Sequence, residues 1–188
     1  DLSNHLFESP RTNFGMDLMS INLHRGRDHA IAPYNAMREI CGLPRARSFA
    51  DFNDQIPSDI VLRLSQMYAS VDDVDFFVGG MSEKPVSGGL LGWTFLCVVG
   101  DQFARVKKGD RFFYDLGGNA GSLTPPQLEE IRKTSWARIM CDNSDNVQQM
   151  QPLAFRLPDN RFNPVTNCRS PAIPSVNLAA WSGERPQV

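Results

Sequence analysis

The sequence predicts a mainly α chain with irregular connections. Apolar residues recur at three- and four-residue spacing in several stretches, Ser, Thr or Pro stand where those stretches begin, and Gly or Pro stand where they end. With 188 residues, 41% hydrophobic and 21% charged, the chain can bury one sizeable core, so residues 1–188 are expected to form one domain or a portion of one.

The first helix is predicted over Phe14 to Arg25, where Leu18, Ile21, Asn22 and Arg25 share one face, an apolar stripe with two polar heads. After a turn around Asp28 to Ala32, Pro33 fits the first turn of a second helix running to Ile40, with Cys41-Gly42 ending it and Pro44 just beyond. A third helix is predicted over Ser58 to Tyr68, with Ser58 as N-cap and Ile60, Leu64 and Met67 facing the core. Met81 to Gly89 is rich in turn formers. The most apolar stretch follows, and Leu90 to Val106 reads as a long, mostly buried helix ending near Lys107-Lys108-Gly109, two cations and a glycine that suit a helix C-terminus. Leu90 to Val99, broken by Gly92 and Thr94, falls well short of the roughly 20 apolar residues of a membrane span.

Phe112, Phe113 and Tyr114 predict a short strand or an irregular aromatic anchor, and Gly117, Gly118 and Gly121 a loop. Thr124, Pro125 and Gln127 have the arrangement of a capping box with proline at the first helical position, so a helix is expected over Thr124 to Arg132 and on through Met140. From Gln151 to the end, prolines 152, 158, 164, 171 and 174 forbid long regular structure, leaving an irregular tail over 151–188.

A formal charge of −2 and a pI near 5.9 provide no global basic field, which argues against a nucleic acid partner. The start, Asp1-Leu2-Ser3-Asn4, has neither a basic nor an apolar run and no initiator Met; the expectation is a chain excised from something longer, its signal peptide removed or never adjacent. Cys41, Cys97, Cys141 and Cys168 form no Cys-x-x-Cys pair, so zinc and thioredoxin-like chemistry lack support. Two disulfides in any of three pairings, or buried thiols, remain open at this point.

The densest polar cluster is Asn22-Leu23-His24-Arg25-Gly26-Arg27-Asp28-His29. Taken plainly, it is a helix C-terminus rich in cations, with Asp28 paired to an arginine. His24 and His29 lie five apart and share no helical face, which argues against a two-histidine metal site. Walker, dinucleotide and kinase patterns are absent, as is a Gly-x-Ser-x-Gly elbow.

Met16-Asp17-Leu18 followed by Ile21 through His29 closely resembles the Leu-Asn-x-Gln-Arg-x-Arg-Asp-His signature of animal haem peroxidases, the peroxidase–cyclooxygenase type. The resemblance continues through Pro33-Tyr34-Asn35, Arg38, Cys41-Gly42-Leu43, Gly79-Gly80 with Glu83, Gly100-Asp101-Gln102-Phe103, Gly109-Asp110-Arg111-Phe112, Ile139 to Asn143 and Asn177-Leu178-Ala179. It implies the C-terminal portion of a helical haem-containing domain. It assigns Asn22 to accept a hydrogen bond from the second ring nitrogen of the proximal histidine, fixing that ligand's tautomer and raising its electron donation to iron. Arg25 is then the arginine beside a haem propionate, and Leu18 and Ile21 are apolar haem wall. His24 departs from the commoner glutamine of the signature. The resemblance also favours Cys41 with Cys97 and Cys141 with Cys168, and with them a secreted, extracellular protein.

The family places its proximal and distal histidines, distal arginine, calcium loop and haem-ester carboxylates upstream of the signature, and His5, His24 and His29 do not stand in matching contexts. No iron ligand is therefore expected in this chain. Haem would be the cofactor, calcium would come from the upstream part, and the N-terminal part of the same peroxidase, as a separate processed chain or as one polypeptide, would be the partner. The expected function is reduction of hydrogen peroxide with oxidation of a halide, a phenol or another donor. One alternative is cell adhesion, because Lys108-Gly109-Asp110 is a tripeptide of the sort integrins read; its plain reading is a helix-ending glycine within the family's Gly-Asp-Arg-Phe phrase. An inactive structural relative is a third.

Overall fold

Asp17 decides where the first helix begins. Its carboxylate accepts from the Met19 N–H at 2.9 Å and the Ser20 hydroxyl at 2.5 Å, so in this computed structural model α1 runs Leu18–Asp28, later at both ends than apolar spacing alone predicts. The structure describes residues 1–184, and these divide into two compact units, Asp1–Lys108 and a second beginning at Gly109.

In the first unit, α2 (Tyr34–Ile40) starts with Pro33 at the N-cap, one place outside the first turn where the sequence puts it, and ends as predicted at Cys41 and Gly42, whose φ of +82° favours glycine. A 3-10 segment, Phe49–Asp54, is closed by Ser48 and Asp51 in a capping box. In α3 (Ser58–Met67), Pro57 takes the N-cap and Ser58 is already helical. The buried stripe is Val61 and Leu64, continuing to half-buried Tyr68. Met67 points away and is 77% exposed, a correction of about one residue in the phase of the helix. Tyr34, Ala46, Phe52, Ile56, Val61, Leu64, Val71 and Val74 make the core. Arg38 is buried among them, 5.4 Å above the Phe52 ring and ion-paired with Asp54.

The apolar spacing does not predict α4 (Phe76–Ser82), which contains Gly79-Gly80. Those glycines are there for close approach: a Cβ on Gly79 would lie 2.1 Å from the Tyr34 ring, and one on Gly80 2.4 Å from the Phe95 ring. The expected helix after the turn region appears as α5 (Trp93–Gly109), but it is not mostly buried. Of its residues only Thr94 is buried, while Trp93, Leu96, Val99, Phe103 and Val106 are between 40% and 70% exposed, and Leu90, just before it, is 94% exposed. Its first turn is fastened to the core by the Cys41–Cys97 disulfide, by the Trp93 indole N–H donating to the Cys41 carbonyl at 2.9 Å, and by Glu83. Its later turns are apolar and exposed, and apolarity alone does not bury them.

In the second unit, the aromatic run Phe112 to Tyr114 is irregular. The capping box of Thr124 and Gln127 opens α6 (Pro125–Arg132) as predicted. The expected continuation through Met140 is instead a separate helix, α7 (Trp136–Asn143), because Ser135 accepts from the Arg138 N–H at 3.1 Å and starts a new cap. Cys141 pairs with Cys168, beside a two-residue antiparallel ladder of β1 (Gln149–Met150) and β2 (Thr166–Asn167). Among the described residues the proline-rich tail holds that short strand, an isolated bridge between Asp159 and Asn163 and a 3-10 turn, Leu178–Trp181; residues 185–188 lie outside the described residues.

Candidate functional site

Helix α1 buries none of its residues completely, and polar ties at its two ends add to the packing of its half-buried face on α4. At its N-terminus the Asp17 cap is the tie. At its last turn, Arg27 grips Asp75 side-on, with Nε 2.9 Å from Oδ1 and Nη2 2.8 Å from Oδ2, while the Tyr68 hydroxyl donates to Oδ2 at 2.8 Å. Arg27, by donating, holds the Asp75 carboxyl below the usual carboxylate range. Burial, and donation to Asp75, push the Tyr68 phenol up to about 12. Just past the helix, Ala30 adopts φ +51° and turns the chain back so that the Ile31 N–H donates to the Gly26 carbonyl at 2.9 Å.

That turn brings Ile31 to the rim of a cavity of about 320 Å³, into which Asn22 and Arg25 also open. Its other walls are Phe76 and Phe77 at the start of α4 and Phe95 from α5, with Phe76 and Phe95 meeting edge to face at 5.1 Å. A wider cleft of about 710 Å³ also has Arg25 in its lining, together with Phe14, Met16, Ile21, His24 and His29. Asn22 and Arg25 are thus brought to one cavity and Ile21 and Arg25 to another, whereas Leu18, half-buried, lines neither. Among the described residues, the side chains of Asn22 and Arg25 have no hydrogen bond or ion pair, although the helix that carries them is fixed at both ends. An amide acceptor and a guanidinium fork, one turn apart and uncommitted, stand beside aromatic walls. That arrangement suits an apolar ligand with one N–H donor and one carboxylate edge.

His24 and His29 are exposed, and among the described residues no group of three His, Cys, Asp or Glu side chains is placed to hold a metal ion. Lys108 and Gly109 are the last residues of α5, and Asp110 turns its carboxylate back to the Phe112 N–H at 2.9 Å. Sequence reasoning did not reach the aromatic wall or Asp75. The one available signal was the run Asp75-Phe76-Phe77-Val78-Gly79-Gly80, an acidic residue ahead of two aromatics and two close-approach glycines.

The model of the family described as animal haem peroxidase matches residues 1–155, which contain the whole of this site. The chain belongs to the animal haem peroxidase family. It is 45% identical over 172 residues to a peroxidase of Drosophila melanogaster, covering 92% of this chain and 24% of that protein. It is 46% identical over 184 residues to the chorion peroxidase of the same fly, covering 96% and 22%. A peroxidasin homolog of Mus musculus is 38% identical over 182 residues, covering 96% and 12%. Among solved structures, peroxidase A of Dictyostelium discoideum superposes with a TM-score of 0.66 at 36% identity, over 83% of this chain and 29% of that one. The chain spans about a quarter or less of the curated relatives that it matches. The signature from Asn22 to His29 and the Cys41–Cys97 and Cys141–Cys168 pairing of this peroxidase-family chain are those that the sequence resemblance pointed to.

Proposed function

We propose that α1 forms part of the proximal wall of a haem site in a peroxidase whose iron ligand comes from the remainder of the polypeptide. The observation that carries this is the pair Asn22 and Arg25, one turn apart on a helix held at both ends, open to an aromatic-walled cavity and bonded to nothing else among the described residues. These residues fit the group. The Asn22 oxygen can accept from a histidine ring N–H, the Arg25 fork matches a propionate, and Ile31 and the Phe76, Phe77 and Phe95 rings present apolar surface in the same cavity, while Ile21 faces the neighbouring cleft that Arg25 also lines.

Haem, when bound, supplies the redox chemistry by which hydrogen peroxide is reduced and a halide, phenol or other donor oxidised. The contribution of this chain is positional. Asn22 keeps the histidine's proton on the outer ring nitrogen, leaving the other nitrogen's lone pair for the metal. The planar Arg25 fork orients the carboxylate edge. The apolar lining excludes water. Two disulfides support an oxidising, extracellular setting, and among the described residues no helix is long and apolar enough to cross a membrane.

The test is the absorption spectrum and ferric/ferrous midpoint potential of the full-length protein. A Soret band is expected in the wild type. Asn22→Ala, which removes the acceptor, should raise the potential, and Asn22→Asp, a stronger acceptor, should lower it. A haem-binding protein in which both substitutions leave the potential in place would refute the role of Asn22, and a full-length protein that binds no haem would refute the reading as a whole.

A further inference from the structure

We infer that Asp75 is a positioning residue for Asn22, holding the last turn of α1 against the start of α4 so that the Asn22 amide is presented at a fixed place in the cavity. The inference rests on the reading of α1 given above and adds to it the part that sets the amide's position. Three donors from two other segments converge on this one carboxylate: Arg27 Nε and Nη2 from α1, at 2.9 and 2.8 Å, and the Tyr68 hydroxyl at the end of α3, at 2.8 Å. The Asp75 side chain is only 14% exposed although Arg27 is mostly in solvent, so the anchoring end of the pair is the buried one.

The backbone around Asp75 is itself fixed. The neighbouring Val74 carbonyl accepts from the Tyr34 N–H at 2.8 Å, at the head of α2, and the Asp75 carbonyl accepts from the Gly79 N–H at 3.0 Å, within α4. Asp75, Phe76 and Phe77 all line the cavity that Asn22 lines. Arg27 is five residues beyond Asn22, well round the helix from it, so α1 can be gripped on one side while it offers the amide on another. Since α1 packs against α4 through half-buried residues and buries none completely, this grip adds a fixed polar point to a loosely packed helix. With Arg27 largely in solvent, the pair contributes modestly to global stability, and the larger effect expected here is on placement.

The experiment uses the full-length protein loaded with haem and reads the iron–histidine stretching band by resonance Raman, with amide hydrogen exchange across residues 18–28 measured on the same samples. Asp75→Asn and Arg27→Ala should move the band in the direction of Asn22→Ala and by at least half as much, and should speed exchange of the Asn22 to Arg27 amides at least tenfold. Arg27→Lys, which keeps the charge and loses the fork, should fall between, and Tyr68→Phe, which leaves the fork intact, should move the band least. In an Asn22→Ala background, Asp75→Asn should move the band no further. If Asn22→Ala moves the band and Asp75→Asn does not, or if Asp75→Asn moves it equally with Asn22 absent, the positioning role is overturned while the reading of Asn22 stands. If Asn22→Ala itself leaves the band in place, that reading fails and this inference fails with it.

Discussion

Removing the Glu83 carboxylate should open the start of α5, and the size of the effect follows from three hydrogen bonds. Gly92 precedes Trp93, so no neighbouring side chain caps the helix, and the N–H groups of a first turn have no acceptor within the helix. The acceptor comes from eleven residues away: Glu83 Oε2 takes the Thr94 N–H at 2.8 Å, while Oε1 takes the Thr94 hydroxyl at 2.5 Å and the Tyr34 hydroxyl at 2.7 Å. Glu83 is 6% exposed and Thr94 and Tyr34 are fully buried; burial, then donation to Glu83, raises the Tyr34 phenol well above its ordinary range. Glu83→Ala leaves three buried donors unpaired at about 1–3 kcal/mol each, less than additive, for a total of about 4 kcal/mol. Glu83→Gln keeps the shape but turns an NH₂ toward one of those donors and should cost about 2 kcal/mol. Gly92→Ala should imitate the loss, since its Cβ would lie 2.2 Å from Glu83 Cβ. The assay is hydrogen exchange of the Thr94 amide in the full-length protein, where 4 and 2 kcal/mol correspond to acceleration on the order of 1000-fold and about 30-fold. If Glu83→Ala speeds that amide by less than about tenfold while helical circular dichroism is retained, the carboxylate is not the cap of α5.

Two further outcomes are expected. The Cys41–Cys97 bridge closes 56 residues and Cys141–Cys168 closes 27, so replacing each pair by serine should cost about 4 and about 3.5 kcal/mol in the loop-entropy account; calorimetry under non-reducing conditions checks this, and an order reversed by more than about 1 kcal/mol would show that chain entropy is not the main source. Asp75, whose folded pKa is depressed by Arg27, contributes stability that is complete above its ordinary value of 3.8 and is lost as pH falls through the folded value. Tyr68 has the opposite sign: its contribution is complete below 10.0 and is lost as pH rises toward about 12. Urea midpoints against pH should therefore show the gap between wild type and Asp75→Asn closing on the acid side, and Tyr68→Phe flattening the alkaline limb; a gap independent of pH below about 4 would contradict the Asp75 assignment.

What could be read from the sequence was what is local. The capping box at Thr124 and Gln127 lies within four consecutive residues, and the structure has it where the sequence puts it. Cys41-Gly42 ends α2 for the same reason. Where a decisive group lies elsewhere in the chain, local pattern fails. The Glu83 cap is remote from α5, so Leu90 looked like the start of the helix when Trp93 is. Apolar composition suggested that α5 is buried, but burial depends on what covers a face, and the turns beyond Val99 remain exposed. Gly79 and Gly80 look like helix breakers until the Tyr34 and Phe95 rings against them are known. The Asp17 cap is local too, yet the sequence reading starts the helix at Phe14 and does not use it. The candidate site divides in the same way: Asn22 and Arg25 stand in a contiguous signature, whereas Asp75, Tyr68 and the aromatic wall meet them only through the fold.

The choice of an amide at position 22 has a consequence that a carboxylate there would not have. An asparagine oxygen is a neutral acceptor and does not titrate, so the hydrogen bond it offers to an imidazole N–H has the same strength across the working pH range. A carboxylate would draw the proton further toward itself and leave a ring with more anionic character on the metal. The amide is also ambivalent, with an oxygen that accepts and an NH₂ that donates, and among the described residues nothing bonded to Asn22 decides which end points outward. In the proposed site a histidine N–H makes that choice by bonding the oxygen. The protein's share is then to keep the amide within reach without occupying it, which is what a helix tied at Asp17 and at Arg27, but nowhere fully buried between them, achieves. The same logic makes Asn22→Gln an uneven replacement: the chemistry is kept, but one added methylene moves the amide by more than the roughly 0.5 Å tolerance of a preorganised contact, and the midpoint potential should shift toward that of Asn22→Ala.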